Sequence, residues 1–282
     1  RRGEDYEVIT TDAMVENDHF NINWSTPYQI GRKLIEVNVS DVVSMGAEPD
    51  LLLLNLILRE GIDVSFVQEL YRGIKESCER YRISLLGGDT THGQVMMLSA
   101  TLTGHTKKPI MRSGAKVGDL ICVTGQVGGS TAGFKLFSQG KMPKGYVLHR
   151  HLEPTCRYDI GRTIAKYAHS MIDVSDGVAS EVRHICNESH VGALVVAKNI
   201  PIDPETEQAA VQAGTTGLKC ALSGGEDFEL IFTIAPQDLP KLEAEINDFT
   251  VIGEILPLAE GAKYITLQDE KLDLPGGYDH FS

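Results

Sequence analysis

Leu51-Leu52-Leu53-Leu54-Asn55-Leu56-Ile57-Leu58 is the most apolar stretch of the chain, and its shortness decides how it reads. A membrane-crossing helix needs about 18 or more apolar residues, whereas a run of roughly eight interrupted by Asn55 fits a strand buried in a sheet. Just upstream, Thr26-Pro27-Tyr28-Gln29 has the signature of a helix start: Thr as N-cap, Pro at the first helical position and Gln three residues after the cap. That helix is expected to stop near Gly46. Downstream, Phe66, Val67, Leu70, Ile74 and Cys78 recur at helical spacing after Asp63, so a second helix follows and its apolar stripe is core.

The same alternation continues in both directions. Strands are expected at 7–11, at 83–86 entering a Gly-Gly-Asp turn, at 95–103, at 120–124, ending at Asp173, and at 194–197, 229–233, 250–254 and 263–267. Helices are expected after the glycine-rich 125–133 turn, after Pro154, from Asp176-Gly177 through Cys186, and near 204–213 and 236–246. The class is mixed α/β or α+β. At 282 residues the chain is long enough for two domains, and the polar stretch at 105–113 is the natural boundary, giving 1–107 and 108–282.

Composition narrows the function. A formal net charge of -13, with 26 basic residues against 39 acidic ones and no basic block, argues against a nucleic-acid surface. No transmembrane span is expected. Cys78, Cys122, Cys156, Cys186 and Cys220 are widely separated and form no Cys-x-x-Cys pair, which reads as reduced thiols of a cytosolic protein. The chain begins Arg1-Arg2-Gly3, with neither an initiator Met nor a signal-like apolar region, so the native N-terminus is expected to lie upstream.

Against this background a set of short acidic motifs recurs: Thr10-Thr11-Asp12, Asn38-Val39-Ser40-Asp41, Gly87-Gly88-Asp89-Thr90, Asp173-Val174-Ser175-Asp176-Gly177 and Ser223-Gly224-Gly225-Glu226-Asp227. Each is expected at a strand end or helix start. Any one of them alone is a turn or an N-cap. Together they supply hard carboxylate oxygens beside open backbone, which suits magnesium held between protein and phosphate oxygens. An acidic protein that binds polyphosphate needs such cations, because two like charges about 4 Å apart cost about 4 kcal/mol at a dielectric near 20.

Neither a Gly-x-x-x-x-Gly-Lys-Ser/Thr loop nor a protein-kinase motif set is present, nor a Gly-x-Ser-x-Gly elbow. Phosphate would then be held by N–H groups at helix starts, for which the 125–133 turn is the best candidate; the alternative is an ordinary glycine-rich connection. A paired-carboxylate glycosidase is disfavoured by a single Trp and 6% aromatic content.

Taken in order, Ile9 to Asp12 with Val15-Glu16-Asn17-Asp18-His19-Phe20, the 37–41 motif followed by Met45-Gly46-Ala47, Gly87 to Thr90, Arg112-Ser113-Gly114-Ala115-Lys116, Asp173 to Gly177, the 222–230 stretch and Gly277-Tyr278-Asp279-His280-Phe281 resemble the thiamine-monophosphate kinase family of the aminoimidazole-ribonucleotide-synthetase-like superfamily. The likeness runs over nearly the whole chain. It implies transfer of the γ-phosphoryl group of ATP to thiamine monophosphate with several Mg2+ ions, in a fold of two parts: an N-terminal α/β domain whose strands build a dimer-spanning β-barrel, and a C-terminal α+β domain. By matching motif it implies Thr10, Thr11, Asp12, Asp41, Asp89, Asp173 and Asp176 as metal ligands. Gly88, Asp89, Arg112 and Ser175 would contact ATP, and His19, Glu226 and Tyr278 the thiamine substrate. The resemblance places the site between the domains of a homodimer and implies no acid–base catalyst, Asp12, Asp41 and Asp89 acting through metal.

Two departures stand out. The family carries a further Gly-Asp-Asp-Ala-type motif upstream of the first strand, before this chain begins, and Asn17 stands where the family has glycine. Asn tolerates a left-handed turn. Other ATP-using members of the superfamily remain as alternatives, as does a non-catalytic nucleotide or thiamine-phosphate sensor. The remaining histidines, His92, His105, His149, His151, His169, His184 and His190, read as structural or surface residues.

Overall fold

In the computed structural model, residues 5–278 of the chain are described. They divide into two compact units, one reaching Pro109 and including Leu152–Cys156, the other made of Ile110–His151 and the chain from Arg157 onward. The sequence reading cut the chain once, between 107 and 108; these units interleave.

The first unit runs β1 (Tyr6–Val15), α1 (Pro27–Ser44), β2 (Glu48–Leu58), α2 (Val64–Tyr81), β3 (Ser84–His92) and β4 (Met97–Thr106). Its strands form an open four-stranded sheet in the order β1-β4-β2-β3, antiparallel except for the parallel β2–β3 pair. The apolar run behaves as a one-sided strand: Leu52, Leu54 and Leu56 are buried with Leu98, Ala100 and Leu102, while Leu53 is 49% exposed. Because side chains alternate along a strand, the buried set faces α1 and the other set forms an open face.

α1 starts as its sequence dictates. Gln29 N–H donates to Thr26 Oγ1 (3.3 Å) while Gln29 Oε1 accepts from Thr26 N–H (2.9 Å), closing a capping box. Where α1 meets α2, a Cβ on Gly31 would lie 2.2 Å from the Leu70 carbonyl oxygen and one on Gly73 2.1 Å from that of Tyr28, so both glycines are needed for the helices to approach this closely. The buried Glu36 carboxylate accepts from Tyr81 Oη and, at 2.9 Å, from Cys156 N–H. Nearby, Gln29 and Arg32 donate to Glu153 at 2.8 and 3.1 Å, which fixes the 152–156 segment to this unit.

The second unit runs β5 (Leu120–Thr124), α3 (Gly129–Ser138), α4 (Gly145–Leu152, entering the transferred segment), α5 (Tyr158–Ala165), β6 (Ala168–Asp173), α6 (Val178–Ser189), β7 (Gly192–Val196), α7 (Pro204–Gln212), α8 (Gly217–Ser223), β8 (Leu230–Ile234), α9 (Leu239–Glu243), β9 (Phe249–Leu256), β10 (Ala262–Ile265) and β11 (Lys271–Asp273). A seven-stranded mixed sheet orders these as β11-β10-β7-β9-β5-β8-β6, with only β10–β7 parallel. α6 lays Val178, Val182 and Ile185 on Ile172, Val195, Ile231 and Ile255. α3, α7 and α8 share a second core of Ala132, Leu136, Ala209, Ala210 and Cys220.

Several expected boundaries moved. Gly87-Gly88-Asp89 lies inside β3, since the strand continues to His92 where a turn was expected. Thr10-Thr11-Asp12 lies inside β1 and Asp41 in the last turn of α1, so these motifs mark neither strand ends nor helix starts. α4 and α8 were not foreseen; at about two turns each, neither carries a long enough periodic pattern. Among the described residues no helix is long and apolar enough to cross a membrane, and all five cysteines are free and buried.

Candidate functional site

In the first unit the expected ligands fall on two faces of one sheet. Thr10 and Asp12 pair with Leu102 and Ala100 of β4, on the α1 side. There Thr10 Oγ1 donates to Asp41 Oδ2 at 2.5 Å, and Asp12 Oδ1 accepts from Ala13 N–H at 2.8 Å. Thr11 and Asp89 are on the open side, in register with Thr101 and Asn55. The Thr11 hydroxyl donates to the Ala100 carbonyl and accepts from Thr101, and Asp89 Oδ1 accepts from Thr90 N–H at 2.8 Å. Gly88 is fixed by packing: a Cβ there would lie 1.6 Å from the Leu54 carbonyl oxygen. Thus Thr10, Asp12 and Asp41 share one side and Thr11 and Asp89 the other.

His19 closes the turn after β1. Asn17 takes the left-handed conformation its side chain tolerates, φ 72°, and its N–H donates to the Phe20 carbonyl. Lys33 Nζ holds the His19 carbonyl at 3.0 Å, and Val15 N–H donates to His19 Nδ1 at 3.2 Å. The Asp18 carboxylate lies 3.6 Å from the same Nδ1.

The second unit gathers its expected residues at the start of α6. β6 delivers Asp173, which is buried, and the chain then turns through Ser175-Asp176-Gly177 into the helix. Glu226 N–H donates to the Ser175 carbonyl at 2.8 Å, and Tyr278 N–H to the Asp176 carbonyl at 3.1 Å. Beneath the turn, Glu181 accepts from Asp176 N–H (3.0 Å) and Ser175 Oγ (3.4 Å). Burial pushes the Glu181 carboxyl up to about 7, with the Asp176 charge adding to the rise and the Arg112 guanidinium opposing it. Arg112 is therefore within electrostatic reach of this turn; its carbonyl accepts from Ser189 Oγ. The N-cap of α6 is Gly177, which brings no capping side chain.

The 125–133 turn is different, and here the phosphate expectation is corrected. Asp227, fully buried, accepts from Gly128 N–H at 2.5 Å and Ser130 N–H at 3.3 Å, so the start of α3 already holds an anion belonging to the protein. Burial raises the Asp227 carboxyl to about 6 against the pull of Arg150 and these two donors. Arg150 also holds the Asp227 carbonyl and Glu229, while Arg157 pairs with Glu229 and Asp248. This network escaped the sequence reading because its members are up to about a hundred residues apart and no spacing rule connects them.

Among the described residues no group of three or more His, Cys, Asp or Glu is placed to hold a metal ion by itself. The donors present still fit magnesium. That ion commonly takes one or two carboxylates and completes its shell with phosphate oxygens and water, and hard oxygens such as the Thr10–Asp41 pair suit such a partial shell.

Comparison with known proteins matches two consecutive parts of the chain. AIR synthase related protein, N-terminal domain, matches residues 2–106, and AIR synthase related protein, C-terminal domain, matches 116–263. The thiamine-monophosphate kinase of Aquifex aeolicus is 33% identical over 97% of this chain and 88% of its own length. That of Haemophilus influenzae is 34% identical over 99% of this chain and 88% of its own. A solved structure of AaThiL complexed with AMPPCP and TMP aligns with all of this chain, 100%, and 89% of its own, at TM-score 0.89 and 32% identity. A hydrogenase maturation protein HypE in complex with ATP aligns at TM-score 0.82 over 97% of this chain and 86% of its own; at 17% identity it shares the fold.

Proposed function

The chain belongs to the thiamine-monophosphate kinase family, and from that premise we propose that it transfers the γ-phosphoryl group of ATP to thiamine monophosphate, giving thiamine diphosphate and ADP. The observation that carries this reading is the joining of Ser175 and Asp176 to Glu226 and Tyr278 by main-chain hydrogen bonds at the start of α6. These bonds bring together the residues read as a nucleotide contact, a metal ligand and two substrate contacts. In this reading Gly88, Asp89, Arg112 and Ser175 meet ATP, and His19, Glu226 and Tyr278 meet thiamine monophosphate. Tyr278, 43% exposed, offers a ring face to a flat cationic heterocycle.

The attacking group is an oxygen of the substrate phosphate. A phosphate monoester has a second pKa of about 6, so it is largely deprotonated at neutral pH and needs no general base. Transfer is direct and in line, without a covalent enzyme intermediate, and the protein's part is alignment and charge stabilisation. Thr10, Thr11, Asp12, Asp41, Asp89, Asp173 and Asp176 would hold Mg2+ ions, whose chemistry there is to neutralise phosphate charge during transfer. The first unit serves ATP, metal and dimerisation, and the open face of its sheet, with Ile9 and Leu53 exposed on it, supports a β-barrel completed by a second copy. The free, buried cysteines support a reducing, cytoplasmic setting.

The test is chromatographic detection of thiamine diphosphate from purified protein, ATP, thiamine monophosphate and Mg2+. Product matching ADP, abolished by chelation, is expected, and Asp12→Asn or Asp89→Asn should lower kcat at least about tenfold and steepen the Mg2+ requirement. ADP without thiamine diphosphate would discard the substrate; nucleotide binding with no ADP would favour a sensor.

A further inference from the structure

We infer that His151 is a positioning residue for Glu226, aiming that carboxylate at the cationic part of the substrate. The inference rests on the reading above that Glu226 contacts thiamine monophosphate. His151 sits near the end of α4 and is 4% exposed, its ring set against Phe134 and Phe137 of α3 at centroid separations of 5.6 and 5.8 Å. Its Nδ1 lies 3.2 Å from Ser130 Oγ and 3.7 Å from Glu226 Oε2. The Glu226 side chain is 28% exposed, so one buried ring nitrogen faces both a buried hydroxyl and a carboxylate that reaches the surface.

The main chain alone does not aim that carboxylate. The backbone of Glu226 is fixed, at φ 63° with its N–H on the Ser175 carbonyl, and Phe228 follows at φ 51° with its N–H on the Val174 carbonyl. Beyond Cα, however, a Glu has three free torsions, and a carboxylate left to sample them must be ordered when the ligand binds. A ring walled by aromatic residues and in reach of Ser130 presents its nitrogen at a fixed point. Arg150, the preceding residue, is itself fastened to the Asp227 carbonyl and Glu229. The imidazole is thus held between the fastened Arg150 and the aromatic wall of α3, with Nδ1 facing Ser130 and Glu226.

Steady-state kinetics with both substrates separate this role from a structural one. His151→Phe fills the space without the nitrogen, while His151→Asn returns an amide near the Nδ1 position. His151→Phe should raise KM for thiamine monophosphate about tenfold, with KM for ATP and the thermal midpoint little changed, and His151→Asn should recover most of the loss. Adding His151→Phe to Glu226→Gln should raise KM no further than Glu226→Gln alone. An unchanged KM in His151→Phe, or equal increases for both substrates, would overturn the inference. If Glu226→Gln itself leaves KM unchanged, the substrate role of Glu226 fails, and absence of thiamine diphosphate from the unaltered protein is failure of the proposed reaction. Should His151→Phe not fold, Ser130→Ala loosens the same ring while keeping the capping N–H, and an unaltered KM there is equally decisive against it.

Discussion

Glu181 shows how one buried side chain ties the candidate site to stability. Its carboxyl is pushed from an ordinary value of 4.5 up to about 7, chiefly by burial. A folded-state value above the unfolded one means that stability is fully present below about 4.5 and is lost as pH rises through about 7, amounting to about 3 kcal/mol. Glu181→Gln keeps an oxygen for Asp176 N–H and removes the titration, so its unfolding free energy should fall less than that of the unaltered protein between pH 5 and pH 8. Denaturant titrations at the two pH values measure this; parallel losses in both proteins would show that Glu181 is not the group responsible. Asp227, raised to about 6, acts in the same direction at lower pH and remains in the variant. Single residues were also where the sequence said least. Asp12 and Asp89 were legible as candidates from their motifs, but the face each occupies depends on strand register. His151 read as a structural or surface residue and is buried; its contacts with Ser130 and Glu226 join residues 21 and 75 positions away, which no local pattern reveals.

Elements were far more legible, because their signals are local. The Thr26-Pro27-Tyr28-Gln29 signature placed the start of α1 at Pro27, and the structure contains both reciprocal bonds of the capping box. Thr26→Ala should cost about 1 kcal/mol, lowering the urea midpoint with an unchanged slope. A loss of several kcal/mol would instead mean that the cap holds more than its own helix. The Asp63 start of α2 and the strand at Leu120–Thr124 were readable for similar reasons. β3 was misread because Gly87-Gly88 looks like a turn in one dimension. In three, Gly88 is required by the approach of β2, and only the neighbouring strand reveals that.

For the whole molecule, alternating elements and length gave the mixed class and two units, while the interleaving of those units was invisible to any local pattern. The open face of the four-stranded sheet makes a prediction at this scale. If a second copy covers it, Leu53→Glu should leave the protein folded and convert a dimer to a monomer in sedimentation velocity; an unaltered dimer would remove this face from the interface. Isolated exposed hydrophobic residues are unremarkable, so the argument rests on Ile9 and Leu53 sharing one uncovered surface.

The crossing of the chain at Leu152–Cys156 also has a consequence for biosynthesis. Glu36 is buried, and one of its hydrogen-bond donors is the amide of Cys156, 120 positions later in the chain. A ribosome that has released the first hundred or so residues has therefore not yet supplied everything their fold requires. The first unit waits for a strap that emerges only after the second has begun, and a gene cut at Pro109 would encode a fragment with an unfinished interior.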